Sequence, residues 1–118
     1  MNKEYKKKWL TNLRSKKFKQ GKFSMRQKNP PGPDLYDAFG LLMDTIPVSE
    51  SDGWELDEYE GRYYFRLFNH DDGQAERIHP MIRDKLGISN ELEATIIDMN
   101  DFRNMTFEEI ADYLECIN

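Results

Sequence analysis

The chain has 118 residues and a formal net charge of −5, with 38% hydrophobic, 33% charged and 13% aromatic residues. Seven Phe, six Tyr and two Trp supply bulky surface for one small core and argue against disorder. No apolar run approaches a membrane span, the basic N-terminus lacks the apolar stretch of a secretory signal, and the single Cys116 excludes an internal disulfide framework or a Cys-based zinc site, so a reducing cytoplasm is the expected setting.

Charge divides the chain. Residues 1–28 hold nine Lys and two Arg against Glu4, a balance of +10, while residues 29–118 carry −15. A basic segment thus precedes an acidic body within a single domain spanning 1–118. The basic segment can bind phosphate through counterion release, or lie on the acids of its own chain or of a second copy. The acidic body suits a surface that engages a basic protein.

In chain order, residues 2–15 read as a helix, with Tyr5, Trp9 and Leu13 at a spacing of four and lysines on the other face. Residues 16–28 place Phe18, Phe23 and Met25 among cations, with Gly21 as a breaker, and fit a short strand or an irregular arm. Asn29-Pro30-Pro31-Gly32-Pro33 forbids a helix. Asp34 is the expected N-cap of a helix to Ile46, with Leu35, Ala38, Phe39, Leu42 and Met43 on its apolar face and Pro47 as its stop. Gly40 inside it marks a close approach by a neighbour.

Val48–Gly53 is a polar loop. Trp54–Glu60 and Arg62–Phe68 are expected strands, the second aromatic and imperfectly alternating. Asn69–Gly73 reads as a turn, and Gln74–Ile78 as a returning strand. Pro80 opens a short helix closed by Gly87, with Met81, Ile82 and Leu86 expected inside. Residues 89–93 read as a loop, and 94–99 fits a strand or a helical turn. Thr106 and Glu109 form a capping box, followed by Phe107, Ile110, Ala111, Leu114 and Ile117 at helical spacing. The expected architecture is a helix-dominated α+β domain, with helices near 3–15, 34–46, 79–87 and 106–116 on a small antiparallel sheet drawn from 54–78.

Three stretches carry a resemblance. They are Trp9 to Leu13-Arg14-Ser15 with Phe18-Lys19-Gln20-Gly21 and Met25-Arg26; Tyr36 to Asp44; and Met99-Asn100-Asp101 leading to Thr106–Glu115. The chain resembles a family of small proteins encoded by tailed bacteriophages, whose members read W-x-x-x-L-R-S-G-x-Y-x-Q, then Y-C-C-L-G-V-L-C-D, then L-N-D and S-F-x-E-I-A-x-x-I-E. The likeness runs from about Trp9 to Glu115 and is weakest over Ser49–Glu76. It implies a phage origin and the host cytoplasm more than a mechanism. The family's cysteines fall on Asp37, Ala38 and Met43, so thiol or metal chemistry in relatives would not transfer.

Catalytic constellations are thin, and no cofactor is expected. His70, His79, Asp71 and Asp72 match no standard metal spacing and read better as a solvated turn and a residue before a helix. Cys116, beside Glu115 at a helix C-terminus, is placed against thiol activation. There is no G-x-S-x-G and no Gly-rich phosphate loop. Asp57/Glu58, Asp98/Asp101 and Glu108/Glu109 are paired carboxylates in a chain full of acids, and the last pair suits a helix dipole.

The sequence therefore points to a binding protein without a reaction of its own. The first expectation is a phage protein that acts on a host bacterial protein, such as a defence complex or nucleic-acid enzyme, through its acidic surface. The second is an oligomeric sponge for a nucleotide signal, with Lys16, Lys19, Arg26, Arg62 or Arg66 on phosphates and Tyr63 or Tyr64 on a base. The third is nucleic-acid binding through residues 3–28, where Lys16, Lys17, Lys19, Lys22 and Arg26 interleave with Phe18 and Phe23. Against the last two stands the plain alternative that Phe18, Phe23 and the aromatic strand are core. A homo-oligomer is allowed; a membrane partner is not expected.

Overall fold

The computed structural model describes residues 1–48, 52–66 and 77–117. The first helix, α1 (Lys3–Arg14), forms as its periodicity predicts, and the Asn2 side chain caps it by accepting the N–H groups of Glu4 and Tyr5. Its apolar stripe puts Trp9 and Leu13 in the core. Trp9 stacks on Phe39 at 5.3 Å, and its indole N–H donates to the Ala38 carbonyl at 2.7 Å. The basic segment is therefore not an appendage. It supplies part of the core and packs its helix against α2 (Ala38–Met43) and α5 (Phe107–Cys116).

Residues 16–28 resolve into two very short strands, β1 (Lys19–Gln20) and β2 (Arg26–Gln27). They join β3 (Leu35–Tyr36), β4 (Gly53–Asp57) and β5 (Arg62–Arg66) in one sheet of order β1-β3-β2-β5-β4. All described pairings are antiparallel except β1 with β3. The sheet thus reaches further towards the N-terminus than the sequence suggests. Of the turn and returning strand expected over 69–78, residues 69–76 lie outside the described ones, and Arg77 and Ile78 are not in a strand.

Three expectations are corrected. Asp34 is not a helix cap. Its carboxylate is taken by the Arg26 guanidinium at 3.0 Å and by Lys28 at 3.8 Å, and pairing with β2 keeps Leu35 and Tyr36 extended. The helix starts four residues later than Asp34, at Ala38, where Asp37 Oδ1 accepts the Gly40 N–H at 2.8 Å. Residues 89–93 are not a loop: Ser89 caps α4 (Asn90–Ile97) through the Leu92 N–H, and Glu91 sits well in its first turn. Met81 does not face inward. It is 40% exposed, while Ile82 and Leu86 of α3 (Pro80–Leu86) are buried. The segment 94–99, open between strand and helix, is helical and runs into a π-helical turn, Asp98–Phe102.

The C-terminal half otherwise follows its local signals. Gly87 ends α3 in the left-handed conformation, and the Thr106–Glu109 capping box is formed on both sides. The radius of gyration, 13.4 Å, is close to the roughly 13.5 Å of a folded domain of this length. No helix among the described residues is long and apolar enough to cross a membrane.

Gly40 is required by packing. A Cβ there would collide with the Met25 carbonyl group, because the β2 approach runs directly across α2. Helix propensity alone favours Gly40→Ala by about 1 kcal/mol. Overpacking against backbone works in the other direction, and we expect the variant to lose about 1–3 kcal/mol in urea unfolding. A variant more stable than wild type would refute the packing argument.

Candidate functional site

Strand register separates the residues expected to hold a ligand. Tyr63 and Phe65 share one face of β5 with their partners' Leu56 and Trp54, while Arg62, Tyr64 and Arg66 share the other with Asp57 and Glu55. Gln27 opposite Arg62 puts Arg26 on the Tyr63 face. There the Arg26 guanidinium lies 4.2 Å from the Tyr63 ring centre, 5.1 Å from Tyr36 and 5.5 Å from Trp54, and is paired with Asp34. Burial pushes the Tyr36 phenol up from its usual pKa, against the opposing pull of Arg26. Arg26 is thus a packed element of the sheet.

On the opposite face Arg62 pairs with Glu60 at 2.7 Å and Arg66 with Glu55 at 2.6 Å, and the Tyr64 hydroxyl reaches Asp57 at 3.4 Å. Tyr63 is buried beneath Arg26. Lys16 is exposed just after α1, with φ 61°, and Lys19 is exposed on β1. Of the seven residues, Arg26 and Tyr63 come together, and the other five do not join them in one site. Of the metal candidates, His70, Asp71 and Asp72 lie outside the described residues, and His79 Nδ1 accepts the Met81 N–H as the cap of α3. No group of three or more His, Cys, Asp or Glu suited to a metal occurs among the described residues.

Convergence occurs elsewhere, at Asn100 in the π-helical turn. This side chain is 1% exposed. Its Oδ1 accepts from Gln20 Nε2 at 2.9 Å and from the Ala38 N–H at 3.2 Å. Its Nδ2 donates to the Gly21 carbonyl at 3.0 Å and to Asp101 Oδ1 at 2.8 Å. All four hydrogen-bonding positions of the carboxamide are filled. Gln20 Nε2 also reaches the Met105 carbonyl at 2.8 Å. Asp37, 4% exposed, lies beside this cluster, and burial, reinforced by Asp101, raises its carboxyl to a pKa of about 8.

Above the cluster stands a feature that sequence reasoning missed. Phe23, which the sequence allows either as a ring among cations or as core, is 55% exposed, and Phe102 is 67% exposed; Phe18, by contrast, is half-buried against Tyr36. The Phe23 and Phe102 rings meet edge to face, 5.6 Å between centres. Phe23 has φ 67°, a region that bulky residues rarely enter and that costs about 1–3 kcal/mol. Its N–H donates to Asp101 Oδ1 at 3.2 Å. Lys22 Nζ donates to Asn104 Oδ1, and Asn104 is itself left-handed at φ 53°. A small cavity of about 190 Å³ beside the rings is lined by Gln20, Gly21, Lys22, Asn100, Asn104 and Met105. We call this surface the knuckle.

A larger groove of about 530 Å³ runs between α1 and the turn after α2, lined by Glu4, Lys7, Lys8 and Asp44 among others. Both signs of charge line it, and no set of groups converges. No family model, curated protein or solved structure matches the chain.

The Asp37 carboxyl gives the cluster a pH signature. Its folded pKa of about 8 lies above the ordinary carboxylate value of 3.8. Its contribution to stability is therefore complete at low pH and is lost as pH rises from about 4 through 8, because the unfolded chain releases this proton first. Asp37→Asn keeps an oxygen for the Gly40 N–H and removes the proton. The variant's stability relative to wild type should rise between pH 4 and 8 and then level off. A difference that stays constant across thermal melts from pH 4 to 9 would count against a buried neutral carboxyl.

Proposed function

We propose that this chain is a non-enzymatic, phage-encoded binding protein of the host cytoplasm that modulates or inhibits a bacterial target, and that the knuckle is its contact surface. The observation that carries the reading is the exposed Phe23–Phe102 pair, held over a saturated buried hydrogen-bond cluster. A solvent-facing aromatic pair on a strained backbone is costly to keep for packing alone. Rigid aromatic side chains are efficient contacts because little freedom is lost when they bind.

The phage resemblance and the knuckle draw on the same stretches. The stretches that carry it, around Gln20-Gly21, Asp37-Ala38 and Asn100-Asp101, are those that meet at the Asn100 side chain. Lys16, with its left-handed φ of 61°, stands where the phage pattern has glycine. A defence complex or a nucleic-acid enzyme remains the expected kind of target.

The acidic surface first expected to dock the target is partly offset within the chain. Asp112 and Glu115 hold Arg14 at 2.8 and 2.7 Å, and Glu55, Glu60 and Asp34 hold arginines of the sheet. Among the described residues, the ring contact of Phe23 and Phe102 is with each other. The nucleotide-sponge alternative finds Arg62 and Arg66 paired with acids and on the other face from Tyr63.

The test is affinity capture from bacterial lysate with the wild-type chain and a Phe23→Ser/Phe102→Ser double variant. Wild type should retain a defined host component at low salt, and the variant should lose at least about tenfold of it, equivalent to about 1.4 kcal/mol. Equal retention by the two chains would remove the knuckle as the contact surface. No retained component at all would remove the host-target reading.

A further inference from the structure

We propose that the knuckle binds single-stranded nucleic acid, with Phe23 and Phe102 stacking on bases and Lys22 and Arg103 holding the adjoining phosphates. The proposal rests on the knuckle being the contact surface and adds the chemistry of what it contacts. The two rings are 55% and 67% exposed, and their edge-to-face arrangement leaves flat ring surface open to solvent. Each ring has a cation next to it in the chain: Lys22 beside Phe23 and Arg103 beside Phe102. Lys16, Lys17 and Lys19 continue the positive charge upstream, and all three are exposed.

The cations here stand outside the ion pairs of a protein that is acidic overall, with Asp98 and Asp101 as the nearby acids in the chain. No ion pair among the described residues involves Lys16, Lys17, Lys19, Lys22 or Arg103. Lys22 is steadied by a neutral amide, Asn104. Asp101, the acid adjoining Phe102, directs Oδ1 to the Phe23 N–H and the Asn100 side chain. Asp98, exposed near the start of the same turn, is the local counter-charge. Positive groups interleaved with exposed rings are what a flexible polyanion with flat bases requires.

Ring exposure favours a single strand over a duplex. A duplex hides the base faces that the rings would use, whereas a single strand offers them regardless of sequence.

The experiment is fluorescence anisotropy of the full chain with a labelled oligothymidylate of about 20 nucleotides, in parallel with a duplex of the same length. The single strand should bind at about 50 mM salt and bind more tightly than the duplex, and affinity should fall with salt. Phe23→Ala and Phe102→Ala should each weaken it by about 5- to 100-fold, with circular dichroism confirming that the variants are folded. Lys22→Gln/Arg103→Gln should reduce the slope of log affinity against log salt by about 1.4.

Absence of binding at low salt, equal affinity for duplex, or ring variants that bind like wild type would each overturn the proposal. Ring-dependent capture of a host component without oligonucleotide binding would sink this inference and leave the proposed function standing. Ring-dependent oligonucleotide binding without a captured host component would support this inference and sink the host-target reading.

Discussion

Four hydrogen bonds to the side chain of Asn100 hold three distant parts of the chain in one place. Gln20 and Gly21 come from the N-terminal segment, Ala38 from the start of α2, and Asp101 from the turn itself. None of these connections is local except the last. A buried amide that loses a partner leaves a donor or acceptor unmade, at about 1–3 kcal/mol each. The arrangement ties these segments together: Asn100 adds to the β1–β3 pairing and to the Asp37 cap that already hold β1 and the start of α2. Gly40 completes the constraint by letting the Met25 carbonyl approach the helix.

Electrostatics adds a second layer with unequal parts. Arg14 reaches Asp112 and Glu115, whose side chains are 73% and 62% exposed, so these pairs contribute little to stability although they match α1 to α5. The Arg26–Asp34 pair is better enclosed, at 23% and 15% exposure, and lies against three aromatic rings. It fixes which strand sits next to which. The basic N-terminal segment thus divides in function. Part of it neutralises the acidic body, as one reading of the sequence anticipated, and part, the side chains of Lys16, Lys17 and Lys19, stays outward.

What could be read from the sequence was set by the range of the interactions involved. Helix α5 carries its own capping box and a full apolar stripe, and α3 carries Pro80 and Gly87 at its ends. Such signals lie within a few residues, and they were legible. The start of α2 was not, because Asp34 after Pro33 is a sound local cap that long-range pairing with Arg26 overrides. Strands of two residues are too short to show any period. Ser89 ahead of Asn90-Glu91 is a cap signal that could have announced α4. The exposure of Phe23 had no local sign at all, since an isolated aromatic among lysines fits a core as readily as a surface.

Phe102 is different, because its exposure follows once Asn100 is placed. Residues two apart on a helical turn project to nearly opposite sides. Burying Asn100 to receive Gln20 and Ala38 therefore directs Phe102 outward. The same cluster reaches Phe23 through Asp101, whose Oδ1 accepts both the Asn100 amide and the Phe23 N–H. One buried polar network thus sets both rings of the knuckle, and the strain of φ 67° at Phe23 is held by bonds at its base rather than by packing of its ring. A backbone held in this way leaves only the side-chain torsions of each ring to be ordered in the proposed contact. The link also runs in the other direction: a change that loosens Asn100 should disturb the Asp101 bond to the Phe23 N–H, while Lys22 keeps its own bonds to Asn104 and Gln27.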